Sequence, residues 1–371
     1  MKRIIFFAIL TLLILLVFFI FFERNPVKVG VSTTLSGTNS PMGIAIKDGV
    51  ELAIEEINEQ GGINRKKLEL IIKDDQNDPQ RVLKVDEELI NEGVCAIIGH
   101  VTSAMTQAAL PLVNEKQMLL LSPTTSSLKV LEGDDNLISI HPPNIYEQEA
   151  LAQYAIQHSN RLSIIYNTDN EAFSDPWVTY FSETFEELGG TIEAIFSFSV
   201  ENDEVFKATG DLLATKPEGV LIVASSIDTA MICQQISKQY PQQVFKCSSG
   251  WSLDNTLLEH GGKSIEGLVL PNSWDKNSTS PGYLTFKNAF ITRFRREPQF
   301  AETYAYETMM ILAEILKSGI KPNPMQIKEK ILNIGQIQGL QGKIIINEKG
   351  ITKRDVFLFR VEKNSFKRIT E

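Results

Sequence analysis

The residues best suited to chemistry lie at positions 99–104, Gly-His-Val-Thr-Ser-Ala, where an apolar run ends and a helical pattern begins. The N-terminus of a helix offers unpaired backbone N–H groups and a positive partial charge, which together favour an anion. We therefore predict that Ser103, through its hydroxyl, and Ala104, through its backbone N–H, contribute to a carboxylate-binding site. The alternative, that Thr102 or Ser103 only caps the helix, stays open, because capping is a common role of these residue types.

Two further groups of hydroxyl residues follow apolar runs that are typical of strands. Residues 122–126, Ser-Pro-Thr-Thr-Ser, follow one run, and Ser225 and Ser226 follow residues 220–224. The carboxyl ends of parallel strands meet at one edge of an α/β sheet, which is where ligands bind in such sheets. These hydroxyl groups are therefore candidates to face a binding cleft. For residues 122–126 an ordinary polar turn is an equally good interpretation.

The motifs of several common enzyme classes are missing from the sequence. It contains neither a Gly-x-Ser-x-Gly elbow nor a His-Glu-x-x-His zinc motif. Residues 262–264, Gly-Lys-Ser, match the end of a phosphate-binding loop, but position 257, where that loop needs a glycine, is Leu257. We therefore expect a binding protein rather than an enzyme.

Metal and disulfide chemistry are also not expected from the spacing of the possible ligands. The cysteines form no Cys-x-x-Cys pair, and the histidines are dispersed without ligand spacing, so we predict no metal and no cofactor. Cys95 lies in an apolar run and is interpreted as a small core residue. A disulfide between Cys233 and Cys247 stays open as an alternative.

The composition excludes some partners and leaves the class of small-molecule ligand open. The chain has 371 residues, a net charge of -10 and 43% hydrophobic residues. Binding of nucleic acid requires clustered Lys and Arg, so an acidic chain of this kind is not expected to bind DNA or RNA. The length is typical of two domains, each able to bury a core.

The N-terminal segment, residues 1–24, has the pattern of a signal anchor. Lys2 and Arg3 precede residues 4–22, which carry no charge, and a run of about 20 apolar residues can span a bilayer. No small-x-small cleavage site and no lipid-acceptor cysteine follow this run. We therefore expect an uncleaved transmembrane segment, with its positive end in the cytoplasm and the rest of the chain exported.

From residue 27 onward the chain alternates short apolar runs with amphipathic stretches. Residues 44–59, for example, have a helical pattern that two glycines end, and Asp175 followed by Pro176 predicts another helix start. Strands that alternate with helices imply parallel sheets covered on both faces, which right-handed crossovers turn into doubly wound lobes. Because no flexible linker separates the two halves, we expect cross-connected α/β lobes.

The order and spacing of several short motifs resemble a known family. The motifs are Val29-Gly30-Val31, Leu35-Ser36-Gly37, Asp74-Asp75 with Asp78-Pro79, Ile97-Ile98-Gly99-His100, Ser122-Pro123, Leu188-Gly189-Gly190, Glu266-Gly267 and Tyr304-Ala305-Tyr306. Together they resemble type I periplasmic binding proteins. The most similar members are the leucine/isoleucine/valine-binding proteins and their amide- and aromatic-acid-binding relatives, which serve ABC importers.

The resemblance implies two lobes joined by three crossovers, one of residues 27–141 plus 272–337 and the other of residues 142–271 plus 338–371. It also implies that a small carboxylate- or amide-bearing ligand binds between the lobes, that hinge closure traps it, and that an ABC permease and ATPase receive it. We expect a monomer on the outer side of the cytoplasmic membrane. The alternative is a membrane-tethered sensor of the same fold that signals through a partner protein.

The resemblance also assigns roles to individual residues. Ser103 matches the serine that binds the ligand carboxylate, Thr124 offers a backbone carbonyl, and Ser126 offers a hydroxyl. Met42 stands where some relatives carry an aromatic residue of the pocket. Phe173 stands where relatives often have tyrosine, so it is expected to cover the ligand by packing, without a hydroxyl to hydrogen-bond.

One departure from the family concerns the charge of the ligand. Amino-acid-binding relatives carry an acidic residue near Ser249 that pairs with the ligand's ammonium, whereas residues 248–251 here are Ser-Ser-Gly-Trp. A buried ammonium without a carboxylate is poorly compensated. We therefore expect an amide, an aromatic acid or a branched short acid more than a plain α-amino acid, with Ser225 and Ser249 as polar contacts. Large side chains that could line such a pocket, although each is more often a core residue, are Trp251, Trp274 and Phe300.

Overall fold

The computed structural model of the protein describes residues 25–37, 39–133, 135–200, 204–240 and 244–370. The predicted N-terminal anchor, residues 1–24, lies outside the described residues. Over the described part of the chain, no helix is both long enough and apolar enough to span a membrane.

Strands and helices alternate along most of the described chain, as the sequence pattern predicts. The strands are β1 Val27–Thr33, β2 Leu68–Asp74, β3 Ile97–Ile98, β4 Leu120–Ser122, β5 Leu137–Ser139, β6 Arg161–Asn167, β7 Thr191–Phe198, β8 Gly219–Val223, β9 Phe245–Ser248, β10 Val269–Asn272, β11 Gln336–Gly339, β12 Gly342–Ile346, β13 Thr352–Lys353, β14 Phe357–Val361 and β15 Phe366–Arg368. The helices are α1 Ser40–Glu59, α2 Pro79–Asn91, α3 Ser103–Glu115, α4 Leu128–Leu131, α5 Ile145–Ala155, α6 Glu171–Glu187, α7 Val205–Ala214, α8 Ser226–Gln239, α9 Asn255–Gly261, α10 Pro281–Phe294, α11 Phe300–Lys317 and α12 Pro324–Ile334.

Two large sheets organise the molecule. The first has the strand order β2-β1-β3-β4-β5, and all of its strands are parallel. The second has the order β15-β14-β10-β9-β8-β6-β7, in which β14 and β15 are antiparallel to their neighbours and the rest are parallel. Residues such as Val29 and Ile164 in their central strands are fully buried, as expected of parallel sheets covered by helices on both faces. The predicted α/β class with parallel sheets is confirmed.

The chain passes between the two sheets three times. It leaves the first sheet after β5 to form β6, returns after β10 to form α10–α12, and reaches the second sheet again through β14. The small sheet β11-β12-β13 lies on the last passage. Helix α11 packs against α1 and against β3 and β4. A late segment of the chain thus covers one face of the first sheet. The approach is close, because a Cβ at Gly49 of α1 would lie 2.4 Å from the carbonyl oxygen of Glu302.

A buried ion pair joins the first and third passages. The guanidinium of Arg354 donates to a carboxylate oxygen of Glu307 over 2.7 Å and to the backbone carbonyl of Ile140 over 3.1 Å. The other oxygen of Glu307 accepts the backbone N–H of Leu340. Both side chains of the pair are buried, with 7% and 2% of their surface exposed. This cluster therefore holds the first and third passages against helix α11.

One predicted helix start is wrong. Helix α6 begins at Glu171 rather than at Asp175, and Asn170 precedes it. Pro176 consequently lies inside the helix, where its missing N–H leaves the carbonyl of Ala172 without its usual partner. The shift places Phe173 in the first turn of α6, at the end of the helix that faces the first sheet.

Candidate ligand-binding site

A small pocket lies between the two sheets, at the carboxyl ends of their parallel strands. This edge is where loops and helix N-termini of α/β sheets converge on a ligand. Segments from both sheets and from the passages between them form its wall. The lining residues are Met42, Val101, Ser103, Thr124, Ser126, His141, Glu147, Asn170, Phe173, Gly250, Trp251 and Phe300.

The wall on the side of the first sheet is built by the segments that follow β3 and β4. Thr102 caps α3, because its hydroxyl accepts the N–H of Met105 over 3.3 Å, so Ser103 is not needed as the cap. The hydroxyl of Thr124 donates to the backbone carbonyls of His100 and Val101 over 2.8 and 3.0 Å. Thr124 is thus held by its own side chain, and its backbone N–H donates to the hydroxyl of Ser122, which leaves its backbone carbonyl as the group that a ligand can use.

The wall on the side of the second sheet comes from the start of α6 and from the turn after β9. The ring of Phe173 meets the ring of Trp251 edge-on, with 5.5 Å between the ring centroids. Asn170 reaches across the cleft, where its side-chain oxygen accepts the backbone N–H of Ala104 over 3.1 Å. This direct hydrogen bond between segments that follow different sheets shows that the described structure has a closed cleft.

His141 contributes a neutral imidazole to the cavity. Its Nδ1 donates to the backbone carbonyl of Pro142 over 2.8 Å, so its Nε2 carries the lone pair. The pKa of His141 is lowered to about 4, chiefly by burial and also by the nearby charge of Arg354, while the hydrogen bond to Pro142 opposes the shift. Its ring packs edge-on against Tyr304, at 5.4 Å between centroids. His141 is therefore not a cation that could neutralise a neighbouring carboxylate.

Glu147, in the first turn of α5, brings a carboxyl group into this cavity. Only 3% of its surface is exposed, and burial raises its pKa to about 8, although a hydrogen bond from the backbone of Ser273 partly offsets that rise. Its Oε1 has no hydrogen-bond partner, and the Nε2 of His141 is 3.9 Å away from it. Residues 248–251 carry no acidic side chain, but α5 brings a carboxyl group to the same pocket from elsewhere in the sequence.

The structure brings five of the eight predicted site residues to the cavity and leaves three outside its lining. Those that line it are Met42, Ser103, Thr124, Ser126 and Phe173. Ala104 gives its N–H to Asn170 instead. Ser225 caps α8, accepting the N–H of Asp228 over 3.3 Å and donating to its carboxylate over 2.7 Å. Ser249 is fully buried beside Gly250, and its hydroxyl has no partner.

Sequence reasoning did not single out five lining residues: Val101, His141, Glu147, Asn170 and Gly250. Glu147 lies in the first turn of a helix, where an acidic residue is expected for reasons unrelated to binding. A weak signal existed, because the neighbouring polar residues Asn144 and Gln148 are also buried. A polar cluster at the buried start of a helix is unusual, but only the fold shows that it faces a cavity.

Comparison with known proteins identifies the family. The profile described as "Periplasmic binding protein" matches residues 26–365. A Leu/Ile/Val-binding protein homolog 1 from Brucella suis is 25% identical over 88% of this chain and 88% of its own length. The chain is also similar to two solved structures that carry different ligands.

One is the branched-chain amino acid substrate-binding protein LivJ from Streptococcus pneumoniae, in complex with isoleucine. It has a TM-score of 0.84 and 17% identity over 92% of this chain and 98% of that one. The other is a solute-binding protein of an ABC transporter from Rhodopseudomonas palustris, in complex with 3,4-dihydroxybenzoic acid. It has a TM-score of 0.82 and 19% identity over 92% of this chain and 94% of that one. The family consists of substrate-binding components of transporters rather than enzymes. The chain belongs to the periplasmic binding protein family, as a type I member of its branched-chain amino acid group.

Proposed function

We propose that the chain captures a small amino-acid-like solute outside the cytoplasm and delivers it to an ABC importer. The observation that carries the proposal is the pocket between the sheets, whose walls of polar and apolar side chains come from both halves of the protein. Ligand sites of this kind combine apolar walls with a few convergent polar groups. A solute held there contacts both halves of the protein and so stabilises the closed form over the open one. The ligands named for the Brucella and Streptococcus proteins support the same class.

In this proposal the two sheets are the cores of two lobes, residues 27–141 plus 272–337 and residues 142–271 plus 338–371. Opening is a rotation about the three crossovers, with the cluster of Arg354 and Glu307 held together on one side. The hydrogen bond between Ala104 and Asn170 breaks on opening, which makes the N–H of Ala104 available to an incoming anion.

We assign the ligand's carboxylate to the N-terminus of α3. The hydroxyl of Ser103 and the positive end of the helix favour an anion there, and Ser126 with the backbone of Thr124 adds further polar groups. Met42 and Phe173 provide apolar walls on opposite sides of the cavity. Ser225 and Ser249 remain predicted contacts, which the open form would have to expose.

The N-terminal segment completes the proposal. Residues 1–24, with Lys2 and Arg3 ahead of an uncharged run, would hold the binding protein at the outer face of the cytoplasmic membrane, next to its permease. Membrane fractionation and N-terminal sequencing of the exported protein test this part. A mature chain that begins near Asn25 would contradict it.

The binding function is tested with the chain from residue 25 onward against a panel of amino acids, amides and short acids. Differential scanning fluorimetry identifies compounds that raise the melting temperature, because a ligand that binds only the folded form stabilises it. Calorimetric titration of those compounds should give one ligand per chain. Mass spectrometry should recover the ligand unchanged. A chemically converted ligand, or no binding by any compound of the panel, would overturn the proposal.

A further inference from the structure

The carboxyl group of Glu147 is buried and has no counter-charge among the described residues. Of the ion pairs that the structure describes, the only contact of this carboxylate is to the Nε2 of His141, at 3.9 Å. His141 is neutral at physiological pH, because burial lowers its pKa to about 4. Its Nε2 also has no proton to donate, since its Nδ1 is the nitrogen that donates to Pro142. Oε1 of Glu147 therefore faces the cavity without a donor.

Arg354, the cation whose charge acts on His141, is committed elsewhere. Arg354 pairs with Glu307 over 2.7 Å and donates to the carbonyl of Ile140, and that pair is itself buried. The ring of Tyr304 packs against His141, and its hydroxyl forms a hydrogen bond with the hydroxyl of Ser273 over 2.9 Å. Arg354 and Tyr304 thus have hydrogen-bond partners other than Glu147. Neither of them supplies the positive charge that an ionised Glu147 needs.

The local backbone is shaped to admit this carboxyl group. A Cβ at Gly250 would lie 2.8 Å from Oε2 of Glu147 and 2.7 Å from the carbonyl oxygen of Pro271. Contacts this short are excluded, so the glycine provides the space that the Glu147 carboxyl group fills. The turn after β9, which carries no acidic side chain in residues 248–251, receives one from α5 instead.

We propose that Glu147 binds a positively charged group of the ligand, so that the solute is a zwitterion whose ammonium lies at Glu147 while its carboxylate lies at Ser103. The inference rests on the proposed binding function and narrows its ligand class. A carboxylate buried without a partner is costly, whereas one paired with a cation and hydrogen-bonded is not. Both residues line the same cavity, from α5 and from α3.

This arrangement explains how the cleft discriminates between ligands of similar shape. Closure over a zwitterion pairs Glu147 with the ammonium. Closure over an acid without an amine leaves Glu147 unpaired, so that the residue must take up a proton before the cleft can shut. The raised pKa of Glu147 in the closed cleft, about 8, agrees with this requirement. The ligand is accordingly expected to be of the amino acid kind rather than of the aromatic acid kind bound by the Rhodopseudomonas protein.

The test compares L-leucine with 4-methylpentanoate, which has the same carbon skeleton and carboxylate but no amine, and includes L-isoleucine and benzoate. Calorimetric titration at about pH 7 should show that the wild-type protein prefers the amino acids by roughly a hundredfold. Repeating the titrations in buffers of different ionisation enthalpy should show that 4-methylpentanoate takes up close to one proton more than leucine does, because only the amine keeps Glu147 ionised.

The decisive variant is Glu147→Gln, which keeps the size of the side chain and removes its charge. It should lose roughly a hundredfold in affinity for leucine, bind 4-methylpentanoate at least as tightly as the wild type because glutamine needs no proton, and abolish the difference in proton uptake. The matched control is Glu149→Gln, which removes the same charge from an exposed position of the same helix, where the carboxylate accepts a hydrogen bond from Tyr180. Its affinities should equal those of the wild type. Thermal melting establishes that both variants fold.

The outcomes separate this inference from the proposed function. If benzoate or 4-methylpentanoate binds as tightly as the amino acids, or if Glu147→Gln binds leucine like the wild type, the role of Glu147 is wrong while the binding function stands. If no compound of any class binds to the folded wild-type protein, the binding function itself fails, and this inference fails with it.

Discussion

The hydroxyl of Ser127 lies 2.5 Å from the backbone carbonyl oxygen of Ala172 and donates a hydrogen bond to it across the cleft. Ser127 precedes α4, which follows strand β4 of the first sheet, whereas Ala172 is in the first turn of α6, which follows strand β6 of the second. The carbonyl is available because Pro176, four residues later, has no N–H to occupy it. A proline within a helix thereby creates an acceptor that only the closed form satisfies.

Replacement of Ser127 by alanine should shift the protein toward its open form. The closed form loses one hydrogen bond, worth about 1 kcal/mol, and leaves the Ala172 carbonyl unpaired. Small-angle scattering of the ligand-free protein should therefore show a larger radius of gyration, and ligand affinity should fall about fivefold. Ser182→Ala is the control, because that hydroxyl donates within α6 to Val178 over 2.7 Å and does not cross the cleft. Equal radii for both variants would contradict the prediction.

Ser103→Ala should weaken ligand binding by roughly tenfold to a hundredfold. A hydroxyl that donates to a charged oxygen contributes about 1.5–3 kcal/mol, and about 1.4 kcal/mol corresponds to one decade in affinity. Thr102→Ala provides the contrast, since Thr102 is the cap of α3. It should lower the free energy of unfolding by about 1 kcal/mol with a smaller effect on affinity. Calorimetric titration and chemical denaturation of both variants decide between the roles, and wild-type affinity in Ser103→Ala would remove the carboxylate site.

Glu307→Gln should lower the free energy of unfolding by about 3–5 kcal/mol, because it leaves the buried guanidinium of Arg354 without its counter-charge. Chemical denaturation measures the loss. The comparison is Glu55→Gln, which breaks the exposed pair with Arg293 and should change the same quantity by less than about 1 kcal/mol. Similar losses in the two variants would mean that the Arg354 cluster is no more important than a surface ion pair.

The stability of the ligand-free protein should fall as the pH rises from about 4.5 to about 8. Burial raises the pKa of Glu147 to about 8 in the folded protein, whereas an unfolded glutamate titrates near pH 4.3. The folded form thus binds the additional proton between these values, and its stability decreases by at most about 1.4 kcal/mol per pH unit, less if the cleft opens. Glu147→Gln cannot bind this proton, so its free energy of unfolding should not show this decrease. Denaturation at about pH 5 and about pH 8 should show that the stability of the variant rises relative to that of the wild type as the pH increases. The same change of stability with pH in both proteins would contradict the assignment.

The sequence is sufficient where a local pattern specifies a local structure. Periodic apolar residues predict α1, and the hydroxyl residues that follow β3 and β4 predict the wall that carries Ser103, Thr124 and Ser126. In each case the signal and the structure lie within one turn of the same segment. The α/β class follows from the same kind of pattern repeated along the chain.

The sequence is insufficient where a contact joins distant segments. Glu147 resembles an ordinary acidic residue of a first helical turn, and it becomes a cavity residue only because Gly250, far along the chain, leaves room for its carboxyl group. Likewise, Asp175 with Pro176 has the residue types of a helix start, yet the helix begins earlier, at Glu171. Contacts between segments that are distant in the sequence cannot be predicted from the residues of either segment alone.

The return of the chain to complete its first sheet has a consequence for biosynthesis. Helix α11 covers a sheet whose strands all precede residue 140, and β14 and β15 close the edge of the second sheet with nearly the last residues of the chain. A polypeptide made from its N-terminus consequently cannot finish either half until translation is almost over, and such long-range contacts also form slowly. Until then the growing chain lacks contacts that both halves need, which favours the less compact form in which a polypeptide can be threaded through a narrow channel.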